Sequence, residues 1–246
     1  TMSFPPNTTW LQSGIGAKRM KWHIGNGNGT GVSTTGWTIT AVGTATTANV
    51  ATTNRYTQSP GVEYLVTVAS TSAIAGFRET AAQVFLGNSA GNGGFLFVCR
   101  FGLATGVSTS TKRLFVGMTS SGAAPTDVNP STILNMCGIG RDAADANIQF
   151  MTNDGSGTAT KIDLGIAVPI VDRTSLYELR MWVQPNSTTI NYIFSDLAEG
   201  GTVASGSTLT DVPAVNTLLA ARGWMSVGGT SSVIGFSCKY VYLESN

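Results

Sequence analysis

The chain has 246 residues, enough for one large domain or two small ones with a sizeable core. Charged residues make up only 11% of it, less than half of the roughly 25% usual in a soluble domain. With 14 Lys+Arg against 13 Asp+Glu the net charge is +1, which provides no long-range field to recruit a phosphate backbone or an anionic membrane and argues against nucleic acid as a partner.

Residues 1–35 read as an N-terminal arm or connector. They hold Pro5-Pro6, the cluster Lys18-Arg19-Met20-Lys21-Trp22-His23 and the run Gly25-Asn26-Gly27-Asn28-Gly29-Thr30-Gly31, whose glycines lose the most backbone entropy on ordering. From residue 36 to 246 the dominant period is two. It predicts strands over Trp37–Val42, Thr46–Ala51, Glu63–Ser70, Gly76–Leu86, Phe95–Phe101, Arg113–Met118, Met136–Arg141, Asn147–Thr152, Ala159–Leu164, Leu176–Val183, Thr189–Phe194, Leu219–Val227 and Phe236–Leu243. Phe95, Phe97, Cys99 and Phe101 share one face of their strand, and Leu96, Val98 and Arg100 the other. By the same alternation Phe236, Cys238, Tyr240 and Tyr242 fall on one face, opposite Ser237, Lys239, Val241 and Leu243. Connectors such as NDGSG (Asn153–Gly157) and QPNS (Gln184–Ser187) supply the positive-φ residues that tight turns need. Helix is confined to about one turn each near Pro130–Asn135 and Ala214–Ala220. So many short strands at close spacing predict an all-β, antiparallel two-sheet sandwich of jelly-roll type.

The inventory of chemistry is thin. His23 is the only histidine, so a Ser-His-Asp device has one place to draw from, and that place lies in the arm. Gly87–Gly91 fits G-x-S-x-G, but more glycine and a strand follow where a nucleophile elbow needs a helix, so it reads as a hairpin loop. The glutamates Glu63, Glu79, Glu178, Glu199 and Glu244 include no pair two residues apart, the spacing that would set two carboxylates on one sheet face. A cross-strand pair such as Glu178 with Asp163 stays open. Asp142, Asp145 and Asn147, with Asn153-Asp154 beyond them, offer oxygens that suit calcium, yet the spacing is not that of an EF-hand and Asx side chains in tight turns usually cap their own backbone. No cofactor or metal is expected. Cys99, Cys137 and Cys238 sit in apolar or alternating stretches without metal-ligand spacing and read as buried free thiols. No apolar run reaches the roughly 20 residues of a membrane span, and the beginning of the chain lacks the regions of a signal peptide, so neither membrane insertion nor a leader is expected.

Surface recognition remains. A glycan site on a β-sandwich needs an aromatic plate for the apolar face of a sugar and planar polar groups around it. Trp182 lies mid-strand and is expected in the core; Trp22 and Trp224, beside Gly-rich or turn segments, are the candidates for exposure, as sugar plates or as anchors between subunits.

The stretch from Phe95 to Leu219 resembles the C-terminal, receptor-binding tip domains of phage tail fibres and related fibre-tip adhesins of bacteria. The resemblance lies in FLFVCRFGL (Phe95–Leu103), KRLFVGMTSS (Lys112–Ser121), GIGRDAADANIQFMTNDGSGTATKIDLG (Gly138–Gly165), YELRMWVQPNSTTINYIF (Tyr177–Phe194) and TDVPAVNTLL (Thr210–Leu219). It implies a concanavalin-like or jelly-roll tip, a homotrimer carried by a fibre shaft N-terminal to the fragment, an extracellular place on a virion tail fibre or a bacterial surface, and a cell-surface glycan as receptor. Arg141, Asp142 and Asp145, which combine a forked donor with acceptors in one loop, join Trp22 and Trp224 as candidate ligand-binding residues, although the same loop would equally stabilise a trimer. The expected function is a non-enzymatic adhesin. The alternatives are a glycan depolymerase on the same scaffold, working through carboxylates or a tyrosine, and a purely structural spike or capsid sandwich.

Overall fold

The alternating pattern resolves into two antiparallel sheets of eight strands each. The computed structural model describes residues 19–24, 31–32, 38–87, 92–105, 111–167, 172–197 and 201–245, with side chains from residue 39 onward. In chain order the strands are β1 (Arg19–Ile24), β2 (Gly31–Val32), β3 (Thr38–Val42), β4 (Thr44–Thr47), β5 (Val62–Ser70), β6 (Ile74–Glu79), β7 (Phe95–Thr105), β8 (Arg113–Thr119), β9 (Met136–Arg141), β10 (Asn147–Asn153), β11 (Thr160–Ala167), β12 (Leu176–Val183), β13 (Ile190–Asp196), β14 (Val203–Thr208), β15 (Ala220–Ser226) and β16 (Ser232–Ser245). The front sheet runs β14-β13-β12-β7-β16-β5-β4, and the back sheet β11-β10-β9-β8-β15-β6-β3-β2. The long β16 pairs along one side with β7; its other side pairs first with β5 and then, from Tyr240 on, with β1.

The core lies between the sheets. Phe95, Phe97, Cys99 and Phe101 of β7 and Tyr177, Leu179, Met181 and Val183 of β12 pack in one buried cluster with Leu114, Val116 and Met118 of β8 and Cys137 and Ile139 of β9. Phe150 stacks on Tyr192 across the layers at 3.9 Å between ring centroids, and within the front sheet Phe101 stacks on Phe236 at 5.7 Å. Each such side chain removed from water stabilises the fold by about 1.5–3 kcal/mol. The three cysteines are buried free thiols, as their apolar settings predict.

Several boundaries differ from the sequence expectation. The predicted Gly76–Leu86 strand ends at Glu79, leaving Val84 in a single bridge with Leu219. The turn near Pro130 is a 3-10 turn over Pro130–Thr132, but Ala214–Ala220 holds no helix and leads directly into β15. One helical turn was not predicted: α1 (Arg55–Gln58), started by a capping box in which Asn54 and Thr57 exchange side-chain and backbone hydrogen bonds. Within the expected arm, Arg19–Ile24 is a strand of the front sheet; most of the rest of 1–35 lies outside the described residues.

The departure that matters most is in β16. Against β7, Cys238 faces Phe101 and Tyr240 faces Arg100, so Lys239 is the extra residue of a β-bulge. A bulge inverts the alternation beyond it. Phe236 and Cys238 therefore share the core with Val241 and Leu243, whereas Tyr240 and Tyr242, expected on the same face as Phe236, turn to the outer side of the sheet.

Candidate functional site

Each sheet has an outer face, and the two differ. On the back sheet the connection between β8 and β9, residues 120–135, lies across the strands and is tied down. Arg113 donates to Asp127 Oδ1 (2.7 Å) and Asn129 Oδ1 (2.8 Å), Arg222 to the Ala123 carbonyl (3.2 Å) and Arg78 to the Gly122 carbonyl. Asp127 also accepts from the Ser226 hydroxyl and from the backbone N–H groups of Gly228 and Gly229. Beneath this strap lies a second apolar cluster of Phe115, Met136, Met151 and Trp224, with Ile133 and Ala159 packed on it.

Trp224 is thus 0% exposed and presents no plate to a ligand, which corrects the expectation from its glycine neighbour. Gly223 does not mark a turn. It lies within β15, where a Cβ would come within 2.8 Å of the Phe77 ring and 2.9 Å of the Phe236 ring, so the glycine makes room for the core beneath.

Arg141, Asp142 and Asp145 do meet at the end of β9, and their polar atoms are engaged by the protein itself. Arg141 donates from Nε to the Asp145 carbonyl (2.7 Å) and from Nη1 to the Lys112 carbonyl. Asp142 accepts from the backbone and hydroxyl of Ser131 (3.0 and 2.5 Å) and pairs with Lys161 at 2.7 Å. Asp145 takes the same ammonium at 2.8 Å and the Asp142 backbone N–H at 3.0 Å. Burial works against the Asp142 carboxylate, but its bonds from Lys161 and Ser131 outweigh that and hold its pKa below the ordinary value. Asp142→Ala is expected to lower stability in urea at pH 7 by about 1–3 kcal/mol, since it strands the Ser131 donors. A carboxylate with a depressed folded pKa contributes fully above its ordinary value of 3.8 and loses that contribution as the pH falls through the folded value. The difference between wild type and variant should therefore shrink below about pH 4. Among the described residues no group of three His, Cys, Asp or Glu side chains is placed to hold a metal ion.

The outer face of the front sheet is built differently. Cross-strand register places three rows on it: Glu244, Leu96, Trp182 and Asn191; Tyr242, Val98, Arg180 and Ile193; and Tyr240, Arg100, Glu178 and Ser195. At the centre the Glu178 carboxylate, 3% exposed, lies between two guanidiniums. Its Oε2 accepts from Arg100 Nε (3.1 Å) and Nη2 (2.6 Å), and its Oε1 from Arg180 Nε (2.6 Å). Arg100 and Arg180 keep 31% and 27% of their side chains exposed. Beside them the Tyr240 and Tyr242 rings are stacked, 6.5 Å apart and within 6° of parallel. The Tyr242 hydroxyl donates to Glu244 Oε2 at 2.6 Å; burial, and then this bond, push its pKa up. Trp182 is half-buried on this face, not in the core where its mid-strand position suggested.

One end of the same face is closed. Tyr56 of α1 lies over Gly102, where a Cβ would come within 2.7 Å of its ring, and its hydroxyl donates to Glu63 Oε1 at 2.8 Å. Arg173 holds Glu63 with two bonds of 3.1 and 2.7 Å, and the Lys239 ammonium sits 3.9 Å from the centre of the Tyr56 ring. The open part is therefore the patch around Trp182, Arg180, Arg100, Tyr240 and Tyr242. Trp22 stands in β1 at the register position opposite Tyr242; its side chain lies outside the described residues. Glu178 and Asp163, left open as a carboxylate pair, belong to different sheets.

Sequence reasoning missed this patch as a unit. Glu178, Arg180 and Trp182, at spacings of two along β12, carried a readable signal of a polar and aromatic face. The tyrosines carried none, because the bulge that turns them outward is a property of strand pairing.

No family model matches the chain, and no curated protein is similar to it in sequence. Among solved structures it is similar to lectin II from Ulex europaeus, with a TM-score of 0.55 and 8% identity over 94% of this chain and 99% of that one. It is also similar to peanut lectin, with a TM-score of 0.51 and 12% identity over 93% and 97% of the two chains. A protein of unknown function from Shewanella oneidensis MR-1 matches with a TM-score of 0.55 and 10% identity over 100% and 96%. At such identities the likeness is one of fold. The chain is an antiparallel two-sheet sandwich of the lectin type, a jelly roll with one outer face strapped shut and part of the other open.

Proposed function

We propose that the chain is a non-enzymatic glycan-binding module, the receptor-recognising tip of a trimeric fibre, and that sugar is held on the open outer face of the front sheet. The observation that carries this reading is the juxtaposition of half-buried Trp182, Tyr240 and Tyr242 with the exposed guanidinium edges of Arg100 and Arg180 on one continuous strand surface. The C–H face of a pyranose packs on aromatic rings, and its hydroxyls need polar groups at fixed positions. Arginines already oriented by a buried carboxylate meet that need, because no rotamer freedom has to be lost on binding. The lectin-type fold supports the reading, as does the low charge of the chain, which suits a surface partly covered by sister subunits. Three weak sites on one trimer gain by avidity, since the second and third contacts are intramolecular.

Trp182→Ala tests the site. Affinity electrophoresis through gels containing polysaccharides of bacterial surfaces should show retardation of the wild type and at least about a tenfold loss of it in the variant, a difference of about 1.4 kcal/mol. The melting temperature should stay close to that of the wild type, because this ring lies on the solvent side of its sheet. Unchanged retardation in the variant removes the face as the site. Release of reducing ends from a retarding polysaccharide replaces the adhesin with a depolymerase, and a monomeric mass by light scattering removes the trimer.

A further inference from the structure

We infer that the glycan held on this face is acidic, its carboxylate or sulfate oxyanions meeting the paired guanidiniums of Arg100 and Arg180. The inference rests on the glycan-binding reading above and adds the ligand's charge.

Consider what the patch turns toward solvent. One carboxylate, Glu178, is shared by two guanidiniums, and with Glu244 the formal charges of the three rows balance, so what distinguishes the patch is which sign lies nearer solvent. The distribution in depth is uneven: Glu178 is almost wholly buried, whereas about three-tenths of each arginine side chain is accessible. Glu244, the other carboxylate of the three rows, is 2% exposed and held by Tyr242, so it too lies beneath the surface. The negative charge forms a floor and the positive charge faces outward.

The geometry of the forks agrees. Arg100 spends Nε and Nη2 on one oxygen of Glu178, and Arg180 spends the same two atoms on the other oxygen. Both guanidinium planes are thereby fixed, while neither Nη1 has a protein partner among the described residues. What the two arginines still offer is N–H donors carrying charge, from rigid planar groups. Carboxylates and sulfate esters are the sugar substituents that such donors bind best, with hydrogen bonds roughly twice as strong as neutral ones. A neutral glycan would leave these outward-facing charged donors partly desolvated and uncompensated, at a cost in affinity. Trp182 and the stacked tyrosines, on the adjoining rows, would take the ring faces of the same chain of sugars.

The experiment uses the intact protein and three polymers of similar size immobilised on a biosensor: polygalacturonate for carboxylates, dextran sulfate for sulfate esters, and dextran as the neutral arm. At 20 mM salt at least one acidic polymer should bind at least about tenfold more tightly than dextran, and 300 mM salt should weaken it severalfold, because the exposed charges are screened within a few ångströms. Arg100→Gln and Arg180→Gln should each lose most of the binding to the acidic polymer. Arg55→Gln, which removes an exposed cation from α1 outside the patch, should lose none. If a glutamine variant melts early, Arg180→Lys keeps the charge while removing the fork, and should still bind more weakly than the wild type. Whichever acidic polymer is preferred identifies the substituent.

Dextran bound as tightly as both acidic polymers and released by Trp182→Ala overturns the charge assignment but keeps the glycan site. Acidic polymers bound equally by wild type, Arg100→Gln and Arg180→Gln overturn the assignment to these arginines. Failure of all three polymers to bind counts against both readings.

Discussion

Trp224→Ala is expected to destabilise the domain by about 3–5 kcal/mol in urea denaturation. Trp224 is fully buried with Phe115, Met136 and Met151, and the strap that covers it is held by side chains from both flanks, Arg113 on one side and Arg78 and Arg222 on the other. Removing the indole opens a void that these ties prevent from collapsing, and a cavity that cannot collapse forfeits dispersion contacts as well as transfer energy. The indole N–H has no hydrogen-bond partner among the described residues, so its removal breaks no hydrogen bond and the loss is one of packing and burial alone. Trp182→Ala, a change of the same chemistry on the other sheet, should cost about 1 kcal/mol or less while removing glycan retention. Loss of stability in both variants to the same extent would mean that the two outer faces do not differ as described.

The second large effect is one of pH. Lys239, the bulge residue of β16, is 3% exposed, and its ammonium has no hydrogen-bond partner among the described residues. Burial lowers its pKa from 10.5 to about 8, although Glu63 pulls in the other direction. Lys112, also buried, is lowered to about 8 by burial as well. Below pH 8 these lysines are charged in both states, and the folded state bears the desolvation cost. Between about 8 and 10.5 the folded lysines are neutral while the unfolded ones still hold their protons, so the unfolded state binds more protons and stability rises with pH. The buried thiols of Cys99 and Cys137 from about pH 9, and buried Tyr56 and Tyr64 above pH 10, act oppositely, because they stay protonated in the folded state while the unfolded chain ionises. The melting temperature should thus climb from pH 7.5 to a maximum between about 9 and 10. Lys239→Met should raise stability at pH 7 by about 1–2 kcal/mol and remove about half of the climb, since a buried charge without a full partner is commonly replaced by an apolar group at a gain. If Lys239→Met is destabilising at pH 7 and leaves the climb intact, the ammonium over the Tyr56 ring is a net stabiliser and the pH dependence lies elsewhere.

The sequence by itself determined the architecture. Strand backbones force side chains to alternate, so the runs Phe95–Phe101 and Leu176–Val183 could bury one face only as strands of a sandwich, and the scarcity of charge and abundance of glycine opposed long helices. It also determined that Glu178, Arg180 and Trp182 would share a face, because that spacing is local. The side of the sheet that face would occupy was decided by the odd-numbered neighbours Tyr177, Leu179, Met181 and Val183, which are more apolar as a set and took the core. Three things were left to the tertiary structure. The neighbouring strands that bring Arg100 and Tyr240 to Glu178 come from sites 78 and 62 residues away in the chain, a pairing no local pattern encodes. The bulge at Lys239 exists only where β16 must register with β7, and it alone turned two tyrosines from the core to the surface. Finally, Trp224 became a core residue because residues 120–135 folded back over it. Burial is a property of what a long-range segment covers, and the same tryptophan beside the same glycine would have been a surface plate had that strap lain elsewhere.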